Sequence, residues 1–78
     1  MTPRQLTDRI TWSRRAYWGY KTLPGTMRGR PEGYLALFNA EIALLTGWAK
    51  EFPDKAEKLN ALADQWREMV EIVKARLN

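Results

Sequence analysis

The sequence contains no cysteine and no histidine. Without cysteine neither a disulfide nor a thiolate zinc site can brace the fold, and without histidine the commonest general base and metal ligand is missing. Catalysis would fall to carboxylates, lysine, tyrosine or Ser13, and the carboxylates recur at spacings that suit surface ion pairs on a helix rather than a converging pocket. Long apolar runs are missing as well. The richest, YLALFNAEIALLTGWA, is interrupted by Asn39 and Glu41, which suits a buried helix better than a membrane span. The opening MTPRQLTDRI has no apolar stretch of the secretion-signal kind. The glycines of GTMRGRPEG match neither GxxxxGK with a following Ser or Thr nor GxGxxG behind a strand. These absences predict a non-catalytic protein without cofactor or metal, located in the cytoplasm.

A chain of 78 residues forms one domain, residues 1–78, and a domain this small buries only about 60% of the surface that its unfolded chain exposes. With no covalent brace, tight helix packing or self-association must supply the stability. The size also fits a phage or other mobile element.

Acidic residues are scarce in the first part of the chain. Residues 1–31 hold seven Lys or Arg against the single acid Asp8, a local charge of +6, whereas residues 32–78 hold six basic and eight acidic residues, a local charge of −2. A positive field of this kind attracts nucleic acid, anionic lipid or an acidic protein surface.

Three helices are predicted, giving an all-α fold: a small three-helix bundle in which the second and third helices form an antiparallel hairpin. The first opens at TPRQ, where Thr2 can cap, Pro3 fits the first helical position and Gln5 completes a capping box. It runs to about Lys21. At 100° per residue Leu6, Ile10, Ser13, Tyr17 and Tyr20 share one face with Trp12 and Ala16 beside it, and Arg4, Arg14, Arg15 and Trp18 lie opposite. Trp12, Tyr17 and Tyr20 are expected in the core. TLPGTMRGRPEG then gathers three glycines and two prolines, a long basic Gly/Pro loop with Pro24 and Gly25 at the centre of a type II turn. The second helix is expected from Pro31 or Glu32 to about Glu51. Its apolar positions spread nearly all the way round, with only Asn39, Thr46 and Lys50 forming a polar strip. A helix apolar on most sides needs neighbours on most sides, so a homodimer through the second and third helices is expected. In FPDKAE, Asp54 is expected to cap the third helix with Glu57 three residues on. Leu59, Leu62, Trp66, Met69 and Val73 then recur at spacings of three and four, as a packing face or short coiled-coil seam.

Two stretches carry the functional expectations. The sequence RGRP, residues 28–31, resembles the core of the AT-hook, a motif that lays an extended Arg-Gly-Arg in the minor groove of AT-rich DNA. By that resemblance Arg28 and Arg30 would insert and Gly29 would allow close approach. Met27 and Glu32 flank it where the family prefers proline and further basic residues. The alternative is that Pro31 and Glu32 start a helix, Gly29 turns the chain, and the arginines are solvated. In WSRRAYWGYK, residues 12–21, cations interleave with aromatics, a pattern that suits stacking on bases and protein-interface hot spots alike. Trp18 beside Arg14 is either a cation-π packed surface residue or a binding anchor. The expected binding surface is Arg14, Arg15, Trp18, Lys21, Arg28 and Arg30. The expected function is that of a small regulator or inhibitor docking this surface on an acidic protein or nucleoprotein partner, with direct nucleic-acid binding as the alternative.

Overall fold

The computed structural model describes residues 1–22 and 31–77. They form three helices, α1 (Pro3–Thr22), α2 (Pro31–Glu51) and α3 (Ala56–Leu77), with a single 3-10 turn at Pro53–Lys55 and no strand among the described residues.

Each start has a local cause. At α1 the Thr2 amide donates to Gln5 Oε1 (2.8 Å) and the Gln5 amide to Thr2 Oγ1 (3.2 Å), the reciprocal box expected from TPRQ. Thr2→Ala should remove the forward half of that box at an exposed position, costing about 1 kcal/mol. A thermal melt followed by circular dichroism should then fall by roughly 4–8 °C, while Thr2→Ser should melt with the parent. α2 opens on Pro31 with Glu32 in its first turn, where a missing amide costs nothing and an acid meets the positive helix end. At the end of α2 the Phe52 amide still reaches Trp48 O (2.8 Å), and Lys55 donates to Phe52 O (2.9 Å).

Two expectations about connections are corrected. Asp54 does not cap α3: it lies inside the 3-10 turn, which Phe52 precedes without a side-chain cap and which Pro53 opens. Proline already supplies a helical φ with no amide to satisfy, so the chain winds up before it reaches Asp54. The loop expected over residues 22–33 is also shorter at both ends. Thr22 belongs to α1, its hydroxyl donating to Trp18 O (2.6 Å), and Pro31, Glu32 and Gly33 belong to α2. Only residues 23–30 lie between, within the two to eight usual for a helix connection. The long basic loop is therefore a short connection. The turn expected at Pro24 and Gly25, and Arg28, Gly29 and Arg30 of the AT-hook-like stretch, lie outside the described residues.

α2 and α3 pack closely along their length, and Phe38 meets Trp66 with ring centroids 5.1 Å apart, the register of an antiparallel hairpin closed at Pro53. α1 lies against α3, and among the described residues its Cα atoms stay more than 8 Å from those of α2. Long side chains bridge that gap: Tyr20 stands edge-on to Tyr34 (5.9 Å) and Phe38 (5.1 Å). The core face of α1 is the expected one, with Leu6, Ile10, Ser13 and Tyr17 buried and Tyr20 packed partly against them. On α3, Leu59, Leu62, Trp66, Met69 and Val73 are all buried. Trp66 is the centre: its indole N–H donates to Ser13 Oγ (2.8 Å), and its ring meets Tyr17 and Tyr20 edge-on.

Trp12 is a correction. It is not core but 54% exposed. A residue on the flank of a helix is buried only where a neighbouring backbone stands close, and α2 is too far from α1 to cover this one.

Candidate functional site

The outward face of α1 carries Arg14, Arg15, Trp18 and Lys21, all exposed. No ion pair or hydrogen bond joins Arg14 or Arg15 to another described side chain, and Lys21 makes no ion pair. On α3, by contrast, two cations are matched by neighbours one turn away, Arg67 with Asp64 (2.5 Å) and Lys74 with Glu71 (3.5 Å), while Lys58 has no such partner among the described residues. The cause is in the sequence, since α1 holds one acid, Asp8.

Trp18 is 55% exposed yet fixed in place. Its ring stands edge-on to the buried Tyr17 (6.1 Å), and Lys21 Nζ lies 5.5 Å from both ring centroids. The cation on Trp18 is thus Lys21, one turn ahead, rather than the expected Arg14. Trp18 is thus a surface residue packed by a cation, with half its surface in solvent.

Two residues join this face that the sequence reasoning left out of it. Arg9 sits with its guanidinium carbon 4.1 Å from the Trp12 ring centroid and 5.7 Å from that of Trp48, and it donates both nitrogens to the buried Glu41 carboxylate, Nη1 to Oε2 at 2.9 Å and Nη2 to Oε1. Trp12 therefore has a cation clamped on one face and solvent on the other. With it, a row appears along the helix surface: Arg9, Trp12, Arg15, Trp18 and Lys21, each three residues after the last, cations alternating with tryptophans. Residues at that spacing are neighbours on a helix, so the row winds obliquely over the outside of α1 from the α2 side to the far edge. The three-residue spacing was visible in the sequence; taking Trp12 for core concealed it.

The row runs over the outer surface of α1. Its groups are permanent cations and aromatic faces on a convex helix, and among the described residues no cluster of three or more His, Cys, Asp or Glu could hold a metal ion. Two shallow open grooves among the described residues run along α3, one between Asn39 and Ile42 of α2 and Arg67 and Glu71 of α3, the other from Asp54 to Ala61. No helix among the described residues is long and apolar enough to cross a membrane. No protein-family model, curated protein or solved structure matches the chain.

Proposed function

We propose that the protein is a non-catalytic, cytoplasmic binding protein, a small regulator or inhibitor, that docks the outer face of α1 on an acidic protein or nucleoprotein partner. The observation that carries this reading is the row of two half-exposed tryptophans, Trp12 under Arg9 and Trp18 beside Lys21, with Arg15 between them and neither Arg15 nor Lys21 paired with an acid among the described residues. Tryptophan and arginine are enriched at interface hot spots, and a tryptophan ring buries a large area at small entropic cost. Here both rings are already immobilised by Arg9 and Lys21, so little freedom remains to be lost on docking. Arg28 and Arg30 extend the same charge along the sequence.

Self-association belongs to this reading too, with a second copy covering the apolar outer side of the second helix. The outward positions of α3, such as Asp64, Arg67 and Glu71, are charged and solvated, so α3 contributes a rim at most.

Affinity capture from native lysate, with and without nuclease, tests the proposal. A nuclease-resistant partner should be retained by the parent chain, and Trp18→Ala together with Arg15→Ala should reduce its recovery at least tenfold at unchanged helicity. Undiminished capture by that variant would remove the site. Direct nucleic-acid binding remains the second reading because alternating cations and tryptophans also suit stacking on bases. It predicts nuclease-sensitive capture and an oligonucleotide affinity that falls steeply with salt.

A further inference from the structure

The outer side of α2 is a continuous apolar face that no other described residue covers. Leu37 and Leu44 are 51% and 46% exposed, and around them Gly33, Ala36, Ala40, Ala43 and Gly47 are exposed as well. Between Glu32 and Lys50 the only charge on this helix, Glu41, is turned inward to Arg9. Gly47 adds a second observation. Glycine disfavours a helix interior, and a Cβ built on Gly47, as on Gly33 and on Gly19 of α1, would meet nothing within 4 Å, so packing among the described residues gives no reason for a glycine at any of the three. A close approach by a backbone from outside does.

We infer that this face pairs with the same face of a second copy, antiparallel, about a two-fold axis at Ala40. The inference rests on the reading of the chain as self-associating and specifies how. The face is self-complementary about that residue. Reversing the helix about Ala40 places Gly33 opposite Gly47 of the second copy, Leu37 beside its Leu44, and Ala36 beside its Ala43. At 100° per residue the two leucines lie on one side of the Gly33–Ala40–Gly47 line and the two flanking alanines on the other. Leucines therefore meet leucines along one edge, and small residues let the backbones close along the other.

Charge selects the direction. Glu32 and Lys50 both project about 80° from Ala40, on the alanine side, at about 12 Å and 15 Å along the axis in opposite directions. Antiparallel pairing brings Glu32 of each copy beside Lys50 of the other, across the thinner edge where long side chains can reach. Parallel pairing about a two-fold along the helices would set the alanine edge of one copy against the leucine edge of the other, so that both Glu32–Lys50 pairs are lost and leucines no longer meet leucines. A two-fold contact of this kind closes on itself and goes no further than a dimer. Arg15, Trp18 and Lys21 of α1 turn away from α2 and stay free for a further partner.

The chain has no cysteine, which makes single-cysteine variants clean reporters. Under mild oxidation Ala40→Cys should form a disulfide-linked dimer, while Gly47→Cys alone should not, since its own copies lie roughly 21 Å apart along the axis. An equal mixture of Gly33→Cys and Gly47→Cys should cross-link, and Asn60→Cys, exposed on α3, should not. Ala40→Glu should raise the concentration at which sedimentation gives half-dimer by at least tenfold, with helicity kept. A parent chain that stays monomeric from about 1 µM to about 500 µM would overturn both self-association and this geometry. A dimer that links through Gly47→Cys alone, or ignores Ala40→Glu, would overturn the antiparallel seam and leave self-association standing.

Discussion

Trp66→Ala should cost about 4 kcal/mol and leave only about 1 kcal/mol of stability at 25 °C, with roughly one chain in six unfolded. The side chain is 2% exposed and fills the space where all three helices meet, touching Tyr17 and Tyr20 from α1 and Phe38 from α2. Truncating a buried tryptophan removes its transfer free energy and leaves a cavity, together about 3–5 kcal/mol. A chain this small has total stability on the order of 5 kcal/mol. The effect has a polar component that can be separated. Ser13→Ala removes almost no volume but strips the buried indole N–H of its acceptor, an expected loss of about 1–3 kcal/mol. Trp66→Phe keeps a ring and removes the donor, so adding Ser13→Ala to Trp66→Phe should cost less than Ser13→Ala alone. Urea unfolding of the four chains measures that coupling. Additive losses would show that the 2.8 Å hydrogen bond contributes nothing of its own.

The second large effect belongs to Arg9. Arg9→Met should cost about 3 kcal/mol, because it leaves the Glu41 carboxylate, 8% exposed, without a counter-charge. The pair spans a gap that the α1 and α2 backbones do not close. Its loss should therefore free α1 before the hairpin, seen as faster amide exchange in α1 than in α2 and α3. Arg9→Met combined with Glu41→Met should return to within about 1 kcal/mol of the parent, since two apolar groups then fill the space that the pair occupied. A single variant as stable as the parent would show that water, not Arg9, satisfies Glu41.

Much of the architecture was legible in the residues. Thr2, Pro3 and Gln5 announce the start of α1 because a capping box is satisfied within four residues of chain, and Leu59, Leu62, Trp66, Met69 and Val73 announce the buried side of α3 because helical period alone aligns them. The spread of apolar residues round α2 was legible for the same reason, and it points to the exposed Leu37 and Leu44. Arg14, Arg15 and Trp18 were placed on the outer face of α1 by the same geometry. What failed were inferences about neighbours: Trp12 taken as core, Arg14 as the cation on Trp18, Asp54 as a cap, and Thr22 to Gly33 as one long loop.

The sequence by itself therefore determined three helices, their faces and the cationic excess of the first. Those follow from interactions within one or two turns, which the local order of residues fixes. Only the tertiary structure decided that α1 stands off from α2, and with it that Arg9 reaches Glu41, that Trp12 stays in solvent beneath Arg9, and that the row from Arg9 to Lys21 is continuous. Helical period gives the direction in which a side chain points, but the distance to what it meets is set by the packing of Trp66, Tyr20 and Phe38 between helices far apart in the chain.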